Sequence, residues 1–232
     1  MITNYIKTAF INIIRHRIYS LINIFGLAIG MACTIMIMLW VQDEVSYDKF
    51  HKNYNNLYRV LSDMEFSNGK ETWAGTPYPL AASLKSNYPE IVEAARIRGP
   101  WPSTIMEVTY EDKRFDGPGC LNADPEIFSL FTFPFLEGDP GTALSKPDSI
   151  IITRKIAEKF FGKEDAIGKI LKINNENDFI VTGVIENILL NSNLRFNFVI
   201  PVNNESPIWN NFQIGTYILI RNNTDANCLS RR

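Results

Sequence analysis

Apolar residues follow two different patterns along this chain, and the patterns change over near residue 42. From Ser20 to Val41 there is no periodicity: 17 of the 22 residues are apolar, and no charge interrupts Ile18 through Gln42. A helix of that length measures about 33 Å, against a hydrocarbon core of about 30 Å. Apolar on all sides and long enough, it predicts a transmembrane helix over residues 18–42. A cleaved secretory leader has a shorter apolar region, about 7–15 residues. Cys33 falls outside a lipoprotein cleavage box, because Gly30 stands where a large aliphatic residue belongs.

Ahead of the span, Ile2, Tyr5, Ile6, Ala9, Phe10 and Ile13 recur at helical spacing, with Asn4, Thr8, Asn12 and Arg15 opposite. That spacing predicts an amphipathic helix within residues 1–17, lying in the headgroup layer. Beyond the span, Val45, Phe50, Tyr54 and Leu57 recur at roughly helical intervals, which predicts a polar helical stalk over residues 43–57.

From residue 58 onward the pattern shortens. Strands are expected at Tyr58–Ser62, Val92–Arg98, Thr104–Tyr110 and Lys113–Phe115. Thr76 followed by Pro77 and Pro79 starts a helix with Leu80, Ala81 and Leu84 inward, and Pro89 ends it. Asp124-Pro125 starts a short helix carrying Ile127, Phe128 and Phe131. Ser149–Ile152 reads as a buried strand. Thr153 then caps a helix with Ile156, Ala157, Phe160 and Phe161 inward and Gly162 as its stop. Ile170–Ile173 and Phe179–Ile185 form a hairpin, followed by strands at Phe196–Val202 and Ile214–Ile220. Short helices interleaved with frequent hairpins predict an α+β domain over residues 58–232, incomplete where a new helix opens near Asp225.

Charge gives the span a direction. Lys7, Arg15 and Arg17 precede it without any acid, whereas Asp43, Glu44 and Asp48 follow it. The basic flank predicts a cytoplasmic N-terminus and an extracytoplasmic location for everything after about residue 42. Three of the 23 basic and none of the 25 acidic residues precede Asp43, so the outer part carries about −5. Such a balance argues against a nucleic-acid or anionic-lipid surface, either of which needs clustered positive charge.

Catalytic chemistry has little to stand on. The chain holds no G-x-S-x-G elbow, H-E-x-x-H, Walker A loop or G-x-G-x-x-G, so neither catalytic nor cofactor-binding residues are assigned. Its two histidines, His16 and His51, cannot build a His-based metal site, and no C-x-x-C pair is present. His51 reads as a stalk or surface residue. Cys120 and Cys228 would lie outside the membrane. Within the span, Gly26 and Gly30 form a G-x-x-x-G element with Thr34 one turn further, a face on which a second helix could pack.

Several stretches resemble the MacB/FtsX-type ABC transporter permeases, specifically the branch with a MacB-like periplasmic core domain. They are residues 10–32 (FINIIRHRIYSLINIFGLAIGMA), 46–60 (SYDKFHKNYNNLYRV), 131–153, 152–173 (ITRKIAEKFFGKEDAIGKILKI) and 179–201 (FIVTGVIENILLNSNLRFNFVIP). The resemblance implies a bacterial inner-membrane permease subunit that works as a dimer with a cytoplasmic ABC ATPase and carries ATP-driven movement to a periplasmic domain. It implies the lipid bilayer and a periplasmic accessory protein as further partners. Three more spans are expected to follow in such a protein. A single-pass receptor with a ligand-binding ectodomain is the alternative, and a membrane-anchored enzyme a third.

Overall fold

The computed structural model describes residues 2–67, 69–99, 106–117, 119–202, 208–222 and 224. It divides into two compact units, Met1–Tyr47 and Asp48–Arg232.

The first unit is helical. Helix α1 (Ile2–Arg15) and helix α2 (Arg17–Ser46) are separated by a break at His16, whose backbone (φ −114°, ψ 52°) leaves the helical region. The 30 residues of α2 extend about 45 Å and none of them is buried. Leu27, Ile37 and Met38 are each more than 60% exposed, a state that water penalises and lipid does not. α2 is therefore long and apolar enough to cross a bilayer.

The expected helical stalk over residues 43–57 is helical only as far as Ser46. Tyr47 is extended and Asp48 takes a left-handed conformation (φ 57°), which ends the helix. Turns follow, then one 3₁₀ turn at Tyr54–Asn56.

The second unit is built on a large mixed sheet. Its N-terminal half contributes β1 (Leu57–Val60), β4 (Ile91–Arg98), β5 (Met106–Tyr110), β6 (Lys113–Gly117) and β7 (Cys120–Ala123). From the C-terminal half come β8 (Phe135–Glu137), β9 (Ser149–Thr153), β10 (Ile170–Ile173), β11 (Asn177–Ile185), β12 (Phe198–Pro201) and β13 (Gly215–Ile220). A separate hairpin pairs β2 (Ser62–Phe66) with β3 (Gly69–Trp73). Among the described residues, three short helices complete the unit: α3 (Leu80–Asn87), α4 (Ile127–Leu130) and α5 (Arg154–Phe161).

Among the described residues the strand order is β1-β13-β4-β7-β12-β9-β11-β10-β5-β6, with β8 also beside β11. Most neighbours are antiparallel; β7–β12 and β9–β11 are parallel. The α+β class is observed, with its expected hairpin at β10–β11. β7 and β8 fall between the expected elements. Of the expected Thr104–Tyr110 strand, the described part is Met106–Tyr110, and the new helix expected near Asp225 lies outside the described residues.

Strand β9 explains the core. All five of its residues are buried, because the sheet is covered on both faces there. Ile151 packs with Leu121, Val199, Ile127 and Phe131 on the face covered by α4. Ile150 and Ile152 pack with Val181 and Phe198 under Ile156 and Phe160 of α5. A smaller cluster joins Ala81 of α3 to Ala94 and Ile218.

Thr153 occupies the N-cap position of α5, but its hydroxyl makes no capping bond and is buried without a partner among the described residues. The cap comes instead from Asn187, whose Oδ1 accepts the Lys155 amide at 2.9 Å.

Candidate functional site

A dense set of long-range polar contacts lies where the second unit begins. The Asp48 amide donates to the Asn191 carbonyl at 2.9 Å, and its carboxylate accepts both the amide (3.0 Å) and the side-chain nitrogen (2.6 Å) of Asn193. Lys52 donates its backbone N–H to Thr132 Oγ1 at 2.9 Å. Asn53 Nδ2 donates to the Ser129 and Leu130 carbonyls, at 2.8 and 3.1 Å. Residues 48–53 are thus fastened to two loops of the domain, one leaving α4 and one leading to β12.

His51 lies at the centre of this clasp, 3% exposed, against an expectation that placed it on the surface. Its ring packs on Phe50, Phe131 and Phe133, with centroids 4.1, 5.0 and 5.7 Å away. The Thr132 amide donates to His51 Nδ1 at 3.0 Å. An Nδ1 that accepts belongs to a neutral imidazole with its proton on Nε2. That Nε2 is buried without a hydrogen-bond partner among the described residues, 3.8 Å from Asp48 Oδ1. Burial lowers the His51 pKa below its ordinary value, and the Asp48 charge opposes the shift. With Nδ1 committed to a backbone amide, the ring holds structure together; it is not free to accept a substrate proton.

Beside the clasp is a cleft of about 770 Å³ whose lining includes Asp48, His51, Arg59, Phe131, Gln213 and Tyr217. The Arg59 guanidinium stands 5.8 Å from the centroid of the Tyr217 ring and donates to the Ala74 carbonyl at 3.2 Å. Burial raises the Tyr217 pKa; Arg59 opposes that rise and Asp48 adds to it. A second cleft, about 810 Å³, runs beside α3. On its wall Arg96 and Asp124 form a bidentate ion pair, both bonds 2.8 Å long. Among the described residues, no three of His, Cys, Asp and Glu gather in a metal-binding arrangement.

The helix-packing candidates Gly26, Gly30 and Thr34 share one stripe of α2. Together with Leu27, Met31 and Ile35 they line a shallow groove. Among the described residues, nothing beyond the helix's own backbone and the adjoining residues approaches within 4 Å of the space a Cβ would fill at either glycine, and Thr34 Oγ1 donates back to the Gly30 carbonyl at 2.9 Å. Cys120 is a free thiol, pushed up to about 12 by burial; Cys228 lies outside the described residues.

Sequence reasoning missed the clasp. Its partners are 81 and 145 residues apart along the chain, and no local periodicity marks them.

Residues 20–230 match the family described as MacB-like periplasmic core domain. No curated protein matches the chain. Among solved structures, the chain is similar to a domain of a protein designated a permease from Porphyromonas gingivalis, at 18% identity and a TM-score of 0.67. That match covers 79% of this chain and 80% of the other. It is also similar to the periplasmic region of MacB from Actinobacillus actinomycetemcomitans, at 14% identity and a TM-score of 0.54, covering 76% and 79%. The extracellular domain of the noncanonic ABC-type transporter YknZ from Gram-positive bacteria matches at 18% identity and a TM-score of 0.51, covering 75% and 86%.

Proposed function

The chain belongs to the family of MacB-like periplasmic core domains, and from that premise we propose that it works within an ABC transporter permease. In this role a separate cytoplasmic ATPase hydrolyses ATP, and the permease converts the resulting movement of its membrane helices into movement of the periplasmic domain, for export or mechanotransmission. The chain would sit in a bacterial inner membrane with its N-terminus cytoplasmic and the residues after about 42 periplasmic, as the basic flank of α2 favours. A second copy of the permease and a periplasmic accessory protein complete the proposed assembly, with Gly26, Gly30 and Thr34 as the packing face for a neighbouring helix.

One observation carries the coupling role. A domain that is only tethered needs a slack linker, yet here the residues immediately after α2 are bonded into the domain through Asp48, Lys52 and Asn53. Within that unit, chain bonded in this way passes a displacement on, whereas loose chain absorbs it.

The test is a double substitution, Asp48→Ala with Asn53→Ala, in the full protein reconstituted with its ATPase. ATP hydrolysis should persist, while the ATP-dependent change in distance between spin labels on two copies of the domain should shrink. An unchanged distance response would refute the coupling role of the clasp. The receptor alternative draws on the 770 Å³ cleft. Failure of any ATPase to co-purify with the full protein, together with saturable binding of a small ligand in that cleft, would favour it.

A further inference from the structure

The loop between β11 and β12 carries an apolar feature that the domain core does not use. Ile188 packs against the core, whereas the next two residues turn out: Leu189 is 50% exposed and Leu190 82%. This is an ordered display, because the loop's polar groups are bonded inward. Asn187 caps α5, the Leu189 carbonyl accepts the Ser192 amide at 3.2 Å, and the Leu190 carbonyl accepts Arg195 Nη2. The Asn191 carbonyl accepts the Asp48 amide, and Asn193 binds the Asp48 carboxylate. Both ends of the loop are fixed, with two large aliphatic side chains between them facing water.

Continuity along the chain bounds how far the loop's partner Asp48 can lie from the apolar run of α2. The apolar run of α2 ends at Val41, five residues before the helix ends at Ser46, a rise of about 7.5 Å. Asp48 follows two residues later, at most about 7 Å further. However the domain is oriented, the residue gripped by this loop therefore stays within about 15 Å of the end of the apolar run.

We infer that the Leu189–Leu190 pair inserts into the outer surface of the same bilayer that α2 crosses, making the β11–β12 loop a second, lipid-facing contact of the periplasmic domain. The inference rests on reading α2 as a membrane span. Its occupant is the acyl–headgroup boundary, where an aliphatic pair on a rigid polar loop buries its side chains while its backbone bonds stay satisfied.

Single-cysteine variants of the full chain, spin-labelled in nanodiscs of zwitterionic phospholipid, test it. Three labelling sites are compared: Leu190→Cys, native Cys33 as the in-span reference, and Lys70→Cys on the exposed β2–β3 hairpin. In each variant the remaining cysteines are replaced by Ala. For Leu190→Cys, collisions with dissolved oxygen should exceed those with a water-soluble nickel chelate several-fold relative to Lys70→Cys, as they do at Cys33. A lipid-type signal at Cys33 with a water-type signal at Leu190→Cys would overturn the loop contact and leave the span standing. An immobilised label at Leu190→Cys, shielded from both reagents, would assign the leucines to a protein partner and overturn the lipid contact. A water-type signal at Cys33 would remove the span and the inference together.

Discussion

Replacing His51 by Ala should destabilise the domain more than the loss of one small side chain suggests. The substitution strips the acceptor from the Thr132 amide, and a buried N–H left without a partner costs about 1–3 kcal/mol. It also removes ring contacts with Phe50, Phe131 and Phe133 and leaves a void among them. A smaller gain offsets part of this, since the unpartnered Nε2 disappears as well. The balance is about 3 kcal/mol, which for a domain of this size lowers Tm by roughly 6–12 °C. Asn at the same position places a side-chain oxygen close to where Nδ1 stood, so His51→Asn should recover about 1–2 kcal/mol of the loss. Thermal unfolding of the full chain in detergent micelles, followed by tryptophan fluorescence, reads all three proteins. An Ala variant that melts within a degree or two of the parent would refute a role for His51 in holding the clasp.

The same histidine sets a pH dependence whose sign follows from its surroundings. Folding lowers its pKa below the ordinary value of about 6.5, so the unfolded chain binds the proton more readily. Stability from this residue is complete above about pH 6.5 and is lost as pH falls below that value towards the folded-state pKa. The geometric reason is plain: a protonated Nδ1 would turn a donor toward the Thr132 N–H. Asp48, 3.8 Å from Nε2, is the charge that limits the effect; among the described residues the ring packs on the aromatic side chains of Phe50, Phe131 and Phe133. The parent should lose Tm between pH 7.5 and 5.5, and His51→Asn should lose less. The other histidine of the chain, His16, lies in the helical unit and does not confuse the comparison. Parallel pH profiles would show that His51 is not held neutral.

Gly138 has φ +88°, and a Cβ there would lie 2.5 Å from the Thr182 carbonyl oxygen, so Gly138→Ala should cost about 3 kcal/mol or more in urea unfolding. Gly141→Ala, whose Cβ would meet only Asp139 oxygens at 3.6 and 3.7 Å, should stay within about 0.5 kcal/mol. Cys120, with its thiol pushed up to about 12, should resist maleimide at pH 8 in the folded chain and react in urea, as read by mass spectrometry. Leu in place of both Gly26 and Gly30 should weaken crosslinking of α2 to neighbouring spans in membranes, and unchanged crosslinking would reduce the two glycines to incidental ones.

Elements whose pattern is complete within a dozen residues were legible from sequence. The run Ser149–Ile152 has no alternation because the sheet is covered on both faces, and a buried strand is what such a run predicts. Helix α5 announced itself through the spacing of Ile156, Phe160 and Phe161 and through Gly162, which takes φ 66° at its end. β7 and β8 were not legible: four and three residues are too few to show a period, and both exist only because distant strands pair with them. The cap of α5 was misassigned for a related reason. Thr153 has the right chemistry at the right position, yet Asn187, brought in from the far end of β11, takes the bond.

The clasp is where local pattern and tertiary structure disagree most, and the disagreement bears on function. Phe50, Tyr54 and Leu57 carry a helical spacing that would prolong α2 into a stalk. A prolonged helix would satisfy its own backbone and leave Asp48, His51 and Asn53 exposed, because helical hydrogen bonds are internal to the segment. The observed chain gives up those local bonds for partners at Ser129–Thr132 and Asn191–Asn193, and the left-handed Asp48 makes the exchange geometrically feasible. Tertiary bonding overrides helical periodicity where the gain in buried contacts exceeds the local preference, here with an imidazole sealed among three phenylalanines. The chain leaving α2 is consequently pinned on two sides, to the loop that leaves α4 and to the loop that precedes β12. Each of those loops leads directly into the core around Leu130, Leu194 and Phe196. In the proposed coupling role, a displacement applied at Asp48 would reach the packed centre of the domain and not only its first strand, because close-packed interiors pass strain on.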